Sequence, residues 1–378
     1  MGEAFFKHVR VKGYTVVLPQ DYIDIDDELQ YFDGNPKKLA RQKKMIGFGR
    51  RYVADELTTV TDMAEVASRR LLLGLNVDTQ SVEALIVVDH TPDYLGPCDA
   101  CILHGRLGLR KGIPAFDVNI GCSGYVYGLW LAHTMIESGA VSNCLVIVGD
   151  LATSGTKPSN RKRAPLFSDS ASATYLERSD DICDSSFVVG TDGEGWEHIV
   201  RPIGGSRLPY TKEMFDLSVC DESGNEWTCN QEIMKGEDVF AFTMDVVPKL
   251  IHKVLSCSKN GIEDIDLYAI HQANKQIVEM IVSKAALPVD KVPTDVFSRY
   301  ANATANSVLT VVCDPQVMLK RNKVLLASFG AGLSWAAAVL DLSCSNNLGI
   351  SFYEPPKNRF TRHEQLRTWM GRFQGNKV

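Results

Sequence analysis

Three side chains able to do chemistry stand where the chain leaves apolar, strand-like runs: Cys122 after PAFDVN, His271 in AIHQAN and Asn302 in YANAT. Cys122 follows the sharp Ile120-Gly121 turn and opens CSGYVYGLWLAHTMIESG, which reads as a buried helix ending at Gly139. A thiol at a helix N-terminus meets free backbone N–H groups and a positive potential, so a lowered pKa and a nucleophilic thiolate are expected. His271, at a strand end, is expected to be accessible and to exchange protons near neutral pH. The Asn302 amide can donate to a developing oxygen charge. Each also has a plain structural reading, as a buried cysteine, a packed histidine and a turn asparagine. Their shared position at strand ends is what joins them.

The remaining candidates carry less. His133 lies inside the hydrophobic helix run, and His90 follows a strand and reads as packing. Asp117 and Asp169 read as residues that orient backbone or loops, and the run at 169–174 is too weak for a metal site. Cys98 and Cys101 form a C-x-x-C, but a zinc site takes about four ligands and nothing nearby completes one, so the pair reads as half-buried helix residues. Ten cysteines in 378 residues are no disulfide scaffold.

The elements that must position these residues come in two similar sets. Residues 62–75 read as an amphipathic helix with Asp62 and Glu65 as a capping box. Strands are expected at 84–90, 114–119, 143–150 and 170–179, with a helix at 98–107 and a polar, basic loop at 151–165. In the second half a helix spans about 237–256. Strands follow at 266–272, 293–299, 323–330 and 333–343, with helices from Ala273 and about Thr304. ALIVVDH pairs with DLYAIHQ, FDVNIGC with TDVFSRYAN, CLVIVGD with VLLASFG, and LFSDSASATYLE with FGAGLSWAAAVLDL. A duplication of α/β units accounts for this pattern. It places a ligand site between the halves, at the carboxyl ends of the strands. The tail 344–378 lies outside the repeat and reads as an appendage that docks by its aromatic residues.

Composition bounds the class. Forty Lys and Arg against 46 Asp and Glu give a net charge of -6, which argues against nucleic acid as the main partner. The N-terminus has no apolar signal region, and no apolar stretch reaches membrane-spanning length. The expectation is a soluble, cytoplasmic protein with no membrane partner.

FDVNIGCSGYVYGL, LFSDSASATYLE, MKGEDVFAF, IHQAN at 270–274, SRYANATANSV at 298–308 and LLASFGAGLSWAAAVL succeed one another in family order. On these segments the chain resembles the β-ketoacyl-acyl carrier protein synthase III group of condensing enzymes, in the thiolase superfamily, over about residues 5–343. The resemblance implies an α/β, thiolase-like fold: duplicated α/β halves packed as a five-layered α-β-α-β-α core. It divides the chain into a half at 1–180 carrying the nucleophile, a half at 181–343 carrying His and Asn, and a C-terminal extension at 344–378.

The implied reaction is a decarboxylative Claisen condensation. Cys122 matches the nucleophile that takes the acyl group, and His271 and Asn302 match the pair that assists loss of carbon dioxide from a malonyl-type thioester. The backbone N–H groups of Cys122 and Ala331 match the oxyanion hole. Asn274 matches a residue lining the pantetheine channel, and Phe329 one set close above the nucleophile. Lys44, Arg161 and Arg163 are candidates to hold phosphates. No metal or redox cofactor is implied. The substrates are thioesters of coenzyme A or of an acyl carrier protein, and a homodimer is implied.

The family's adenine clamp is altered. In LARQKKMIGFGRRYVADE, Arg41 takes the position of its tryptophan and Met45 that of its arginine, and Gln276 replaces a basic residue after the IHQAN segment. These changes point to an atypical acyl donor or a dedicated carrier. Candidate pocket walls are Tyr94, Leu95 and the loop at 196–227, and the insert at 224–235 is a candidate to shape the entrance. Two other readings stay open at this point: an acyltransferase of the same fold that passes the acyl group to an alcohol or amine, and a non-catalytic partner subunit. Retention of Cys122, His271 and Asn302 argues against the second.

Overall fold

Alternation along the buried strands dictates the layering. In the strand Asn143–Asp150, Cys144, Val146 and Val148 join one apolar core, while Leu145 and Ile147 join another. In Lys323–Gly330, Val324 and Leu326 enter the first of these cores, and Leu325, Ala327 and Phe329 a third. Strands apolar on both faces need cover on both, and the computed structural model, which describes residues 1–215, 217–222, 224–228 and 231–373, supplies it.

One sheet has six strands in the order Asn346–Tyr353, Val9–Pro19, Ser170–Arg178, Asn143–Asp150, Leu85–Asp89 and Ala115–Val118. The other has five: Gly2–Phe6, Ser185–Thr191, Ser334–Asp341, Lys323–Gly330 and Leu267–Ile270. The helices Gly124–Glu137 and Ser307–Cys313 lie between the sheets and share one core with both. Val60–Gly74 and Asp99–Leu107 cover the outer face of the first sheet. Gly236–Ser258 and Lys275–Lys284 cover the outer face of the second. These are the five α-β-α-β-α layers. The duplication shows in the pairing: Ser170–Arg178 runs antiparallel to Asn143–Asp150, which runs parallel to Leu85–Asp89, and Ser334–Asp341, Lys323–Gly330 and Leu267–Ile270 repeat the pattern.

Several expectations shift. Residues 293–299 do not form a strand; the short helix Val296–Tyr300 stands there. Its buried Val296, Phe297 and Tyr300 follow helical spacing. Arg299 reaches back one turn to Asp295 and across to Asp314 at 2.6 Å, an i,i+4 pairing that a helix permits. The helix expected at 62–75 begins at Val60, so the capping box is Thr59 with Asp62, one turn before the expected pair. The terminal segments also change sheets: Gly2–Phe6 pairs with Ser185–Thr191, and Asn346–Tyr353 adds a parallel edge strand beside Val9–Pro19. The tail thus docks first by backbone pairing. Its aromatics contribute through Phe352 on Tyr52 and Trp369 edge-on to Tyr94, while Phe360 and Phe373 are exposed. Residues 374–378 lie outside the described residues. No helix among the described residues is long and apolar enough to cross a membrane.

Candidate active site

The carboxyl ends of the inner strands of both sheets meet at a cavity of about 570 Å³, lined by Cys122, His271, Asn302, Asn274, Phe329, Gly330 and Ala331 among others. Cys122 stands in the turn between the strand Ala115–Val118 and the helix Gly124–Glu137. The turn packs tightly because Gly121 and Gly124 carry no Cβ: one at Gly121 would lie 2.7 Å from the His90 ring, and one at Gly124 2.5 Å from Val88. From the other half, Gly330 comes so close that a Cβ there would meet the Cys122 Cβ at 2.7 Å and its Sγ at 3.0 Å. The next turn swings through Gly332 and Leu333, both at positive φ. It brings the Ala331 N–H toward the Cys122 sulfur, beside the N–H of Cys122 itself; both pull the thiol pKa down.

Burial outweighs them. Desolvation, with added repulsion from Glu232 and Asp150, pushes the Cys122 thiol up to about 12. This corrects the expected thiolate: Cys122 precedes the helix inside a protein-lined pocket, and two N–H groups do not offset the lost water. His271 is corrected in the same direction. It is 2% exposed, and burial lowers its pKa to about 3, so the ring is neutral at ordinary pH. Its Nδ1 is hydrogen-bonded to the Ser307 hydroxyl, which also accepts the Gln272 N–H at 3.3 Å. Nε2 is the nitrogen left for a ligand.

Asn302 sits on a strained loop. Ala301 at φ 51 and Thr304 at φ 49 are both left-handed, a conformation that costs energy for residues with a Cβ. Surroundings hold it in place. The Asn302 N–H donates to the Leu166 carbonyl at 2.8 Å, and the Asn302 carbonyl accepts from Ser168 at 3.0 Å. Its side-chain Oδ1 accepts the Thr304 N–H at 2.9 Å, which leaves the NH2 as the donor end. The Thr304 hydroxyl donates to Asp150 Oδ2 at 2.7 Å, and Asp150 Oδ1 accepts the His90 N–H at 2.8 Å. Asp150 therefore ties the Asn302 loop to the strand ends of the other half. Ser123 with Ser334 at 2.7 Å and Ser172 with Asn306 at 2.6 Å extend this polar seam.

Asn274 lines the cavity and caps the helix Lys275–Lys284, its Oδ1 accepting the Ile277 N–H at 2.9 Å. Arg163 also reaches the cavity, but its guanidinium is committed to Glu232 at 3.0 Å, Thr156 Oγ1 at 3.1 Å and the Ala152 carbonyl at 3.2 Å. Lys44 and Arg161 lie outside the lining, where Lys162 and Arg201 supply the other cationic side chains. Of the expected walls, Ile199, Arg201 and Trp227 are present, and Glu232 and Met234 of the insert join them. Cys229 and Asn230 fall outside the described residues. Tyr94 and Leu95 are exposed, Leu95 by 99%, and line nothing here. His90, read as packing, lines the cavity while packed on Gly121. Asp150 and Glu232 went unrecognised; Asp150 closes the CLVIVGD strand, and strand-end position was the available signal. As read from sequence, Asp117 and Asp169 hold backbone: Asp117 accepts Asp99 and Ala100 N–H, and Asp169 accepts Ala54 and Thr153 N–H. His133 is a packed histidine between Phe6 and Phe187.

Comparison with known proteins gives one answer. The family profile for 3-oxoacyl-[acyl-carrier-protein (ACP)] synthase III matches residues 116–193, and that for its C-terminal part matches residues 255–342. A Campylobacter jejuni protein provisionally named 3-oxoacyl-[acyl-carrier-protein] synthase 3 is 37% identical over 353 residues, 93% of this chain and 99% of its own. The beta-ketoacyl-[acyl-carrier-protein] synthase III of Caldanaerobacter subterraneus is 32% identical over 305 residues, 79% of this chain and 87% of its own. The crystal structure of a 3-oxoacyl-(acyl-carrier protein) synthase from Burkholderia xenovorans matches with a TM-score of 0.84 at 31% identity, covering 93% of this chain and 99% of that one.

Proposed function

The chain belongs to the 3-oxoacyl-[acyl-carrier-protein] synthase III family of condensing enzymes, which form a C–C bond between acyl and malonyl thioesters, and on that premise we propose that Cys122 carries the acyl group while His271 and Asn302 serve the malonyl half-reaction. The carrying observation is one cavity that holds all three side chains and aims the Cys122 and Ala331 N–H groups at the Cys122 sulfur.

In the first half-reaction the Cys122 sulfur attacks the acyl thioester carbon. The oxyanion of the tetrahedral intermediate accepts from the two N–H groups, and the donor leaves as a thiol with the proton Cys122 gives up. A malonyl thioester then enters. Its carboxylate leaves as carbon dioxide, and the electron pair moves onto the thioester oxygen as an enolate. With the Ser307 hydroxyl donating to Nδ1, the His271 ring proton rests on Nε2 and donates to that oxygen together with the Asn302 NH2. The enolate carbon attacks the acyl carbonyl, the β-ketoacyl thioester forms, and Cys122 leaves as a thiolate that takes up one proton from solvent to restore the thiol. Neutral donors suit this step: a ring that stays neutral to about pH 3 supplies a fixed N–H over the working range.

The donor in this reading is a thioester of coenzyme A or of an acyl carrier protein. The departures at Arg41, Met45 and Gln276 favour the carrier. The protein acts as a homodimer in the same reading; the edge strand Ala115–Val118, paired among the described residues only with Leu85–Asp89, supports it, and sedimentation tests it. The primary test offers acyl-CoA and acyl-carrier thioesters, with and without malonyl thioester, and records intact mass and carbon dioxide. An acyl adduct lost in Cys122→Ala, then a β-ketoacyl product once malonyl donor is added, is expected. An adduct with neither carbon dioxide nor a new C–C bond overturns condensation. Equal loading from free acyl-CoA overturns carrier dependence.

A further inference from the structure

The C-x-x-C pair is left without a part in the condensing chemistry. Cys98 is the N-cap of the helix Asp99–Leu107, and Cys101 is its third residue. The Cys101 N–H donates to the Cys98 carbonyl at 3.0 Å, closing the turn between them. A turn closed in this way holds its first and fourth Cα atoms within about 7 Å, and disulfides span about 4.4–6.8 Å between Cα atoms. The side chains face each other with the sulfurs 3.4 Å apart in a hydrogen bond. In the single chain Cys98 is half-buried and Cys101 exposed, whereas Cys144 and Cys313 are sealed in the core. The bond from Cys98 raises the Cys101 pKa, as expected of two thiols sharing a proton, and the helix N-terminus favours negative charge on the pair. Among the described residues no group of three or more His, Cys, Asp and Glu could hold a metal ion, so the two sulfurs are not part of a metal site there.

We infer that Cys98 and Cys101 form a reversible dithiol–disulfide site that exchanges with small-molecule disulfides such as glutathione disulfide. One thiolate attacks the glutathione disulfide, forming a mixed disulfide and releasing one glutathione thiolate. The second thiolate attacks the protein sulfur of that mixed disulfide and displaces the second glutathione. The protein loses two thiol protons and two electrons, and one glutathione disulfide becomes two glutathione thiols. The site lies where the loop that begins at His90 and Thr91, both lining the cavity, enters the helix Asp99–Leu107.

Sequence makes the site easy to read. Trypsin cuts after Arg70 and Arg106, and residues 71–106 contain only these two cysteines. The protein is equilibrated in glutathione buffers from fully reduced to fully oxidised, its thiols are trapped with iodoacetamide, and the peptide is weighed. The expected change is from a doubly alkylated peptide to an unalkylated one two hydrogens lighter than the free dithiol peptide, reversed by dithiothreitol. Cys98→Ser and Cys101→Ser each remove the second attack and should stall as a glutathione adduct on the remaining thiol. A peptide that stays doubly alkylated at every ratio, or a wild-type adduct that accumulates without closing, overturns the site. The readout is a peptide mass and needs no condensing activity, so its failure is separate from failure of the proposed function.

Discussion

The two halves share a strand pattern but differ in the segments that leave each strand. In the first half Asn143–Asp150 is joined to Ser170–Arg178 by a long connection that supplies Ala152, Lys162, Arg163, Leu166 and Phe167 to the cavity. In the second half the corresponding link between Lys323–Gly330 and Ser334–Asp341 is only Ala331–Leu333, and it turns an N–H onto the Cys122 sulfur. One connection builds walls and the other sets a single donor. The strand Ala115–Val118 that leads to Cys122 is matched in the second half by the short helix Val296–Tyr300 that leads to Asn302. Duplication thus conserves where strand ends gather, while the lengths of the links decide what stands there. The difference also assigns work. In the proposed function the first half contributes the covalent residue and the walls around Ala152–Phe167, and the second, which lines most of the cavity, the neutral donors of the malonyl step.

The sharpest way to break this division is to remove the covalent residue. Cys122→Ala should abolish acyl loading and lower condensation by on the order of 10⁴-fold or more, read by intact mass and product formation. A loaded variant would move the nucleophile elsewhere.

Next is a change confined to the second half. Asn302→Asp keeps size and the Oδ1 acceptor for Thr304 but replaces the NH2 donor with a charge that repels an enolate. Carbon dioxide release should fall by about 10²–10³-fold while Cys122 still loads at close to its normal rate. If loading falls in step with decarboxylation, the halves do not divide the two half-reactions.

Gly330→Ala probes the contact between halves. Its φ is extended, so backbone strain is not the issue; the new Cβ would crowd the Cys122 side chain at 2.7–3.0 Å. Displacing a nucleophile by a fraction of an ångström should slow loading by about 10–100-fold with thermal stability little changed. A normal loading rate would mean that the turn has slack.

Burial explains which elements were legible in the sequence. Strands with continuous apolar character, such as Leu85–Asp89 and Lys323–Gly330, were readable because burial on both faces leaves an unbroken run. Val296–Tyr300 was misread because a five-residue piece shows too little period to separate helix from strand. Gly2–Phe6 and Asn346–Tyr353 were missed because edge strands are half-exposed and take their place from a distant partner. For the site, residue types and strand ends pointed to Cys122, His271 and Asn302, which share one cavity, but the ionisation of Cys122 and His271 was misjudged. The helix-terminus effect is local and readable in sequence, whereas the desolvation that outweighs it depends on packing by the other half.

That misjudgement yields a pH test. A Cys122 thiol at about 12 stays protonated through neutral pH, so its alkylation by iodoacetamide should rise about tenfold per pH unit between pH 7 and 10 without a plateau. With His271 at about 3, carbon dioxide release from the loaded enzyme should be flat between about pH 5 and 9, where an ordinary histidine would titrate near 6.5. An inflection near that value would mean that His271 titrates during decarboxylation.

The smallest expected effect concerns the tie between halves. Thr304→Val keeps the branched shape, the positive φ and the N–H that Asn302 accepts, and removes only the hydroxyl bound to Asp150. Asp150 is 3% exposed, and burial already holds its carboxyl above the ordinary value against the Thr304 hydroxyl and His90. Losing one donor should cost about 1–3 kcal/mol in urea unfolding at pH 8. The raised pKa fixes the sign with pH. Above the unfolded value of 3.8 the folded state keeps a proton that the unfolded chain releases, so this group's contribution to stability falls as pH rises through that window. The variant raises the folded pKa further, so its deficit should shrink on acidification toward pH 5, as Asp150 takes up the proton that replaces the lost donor. A deficit that does not vary with pH would place the cost in packing around Thr304 rather than in the buried carboxylate that joins the two halves.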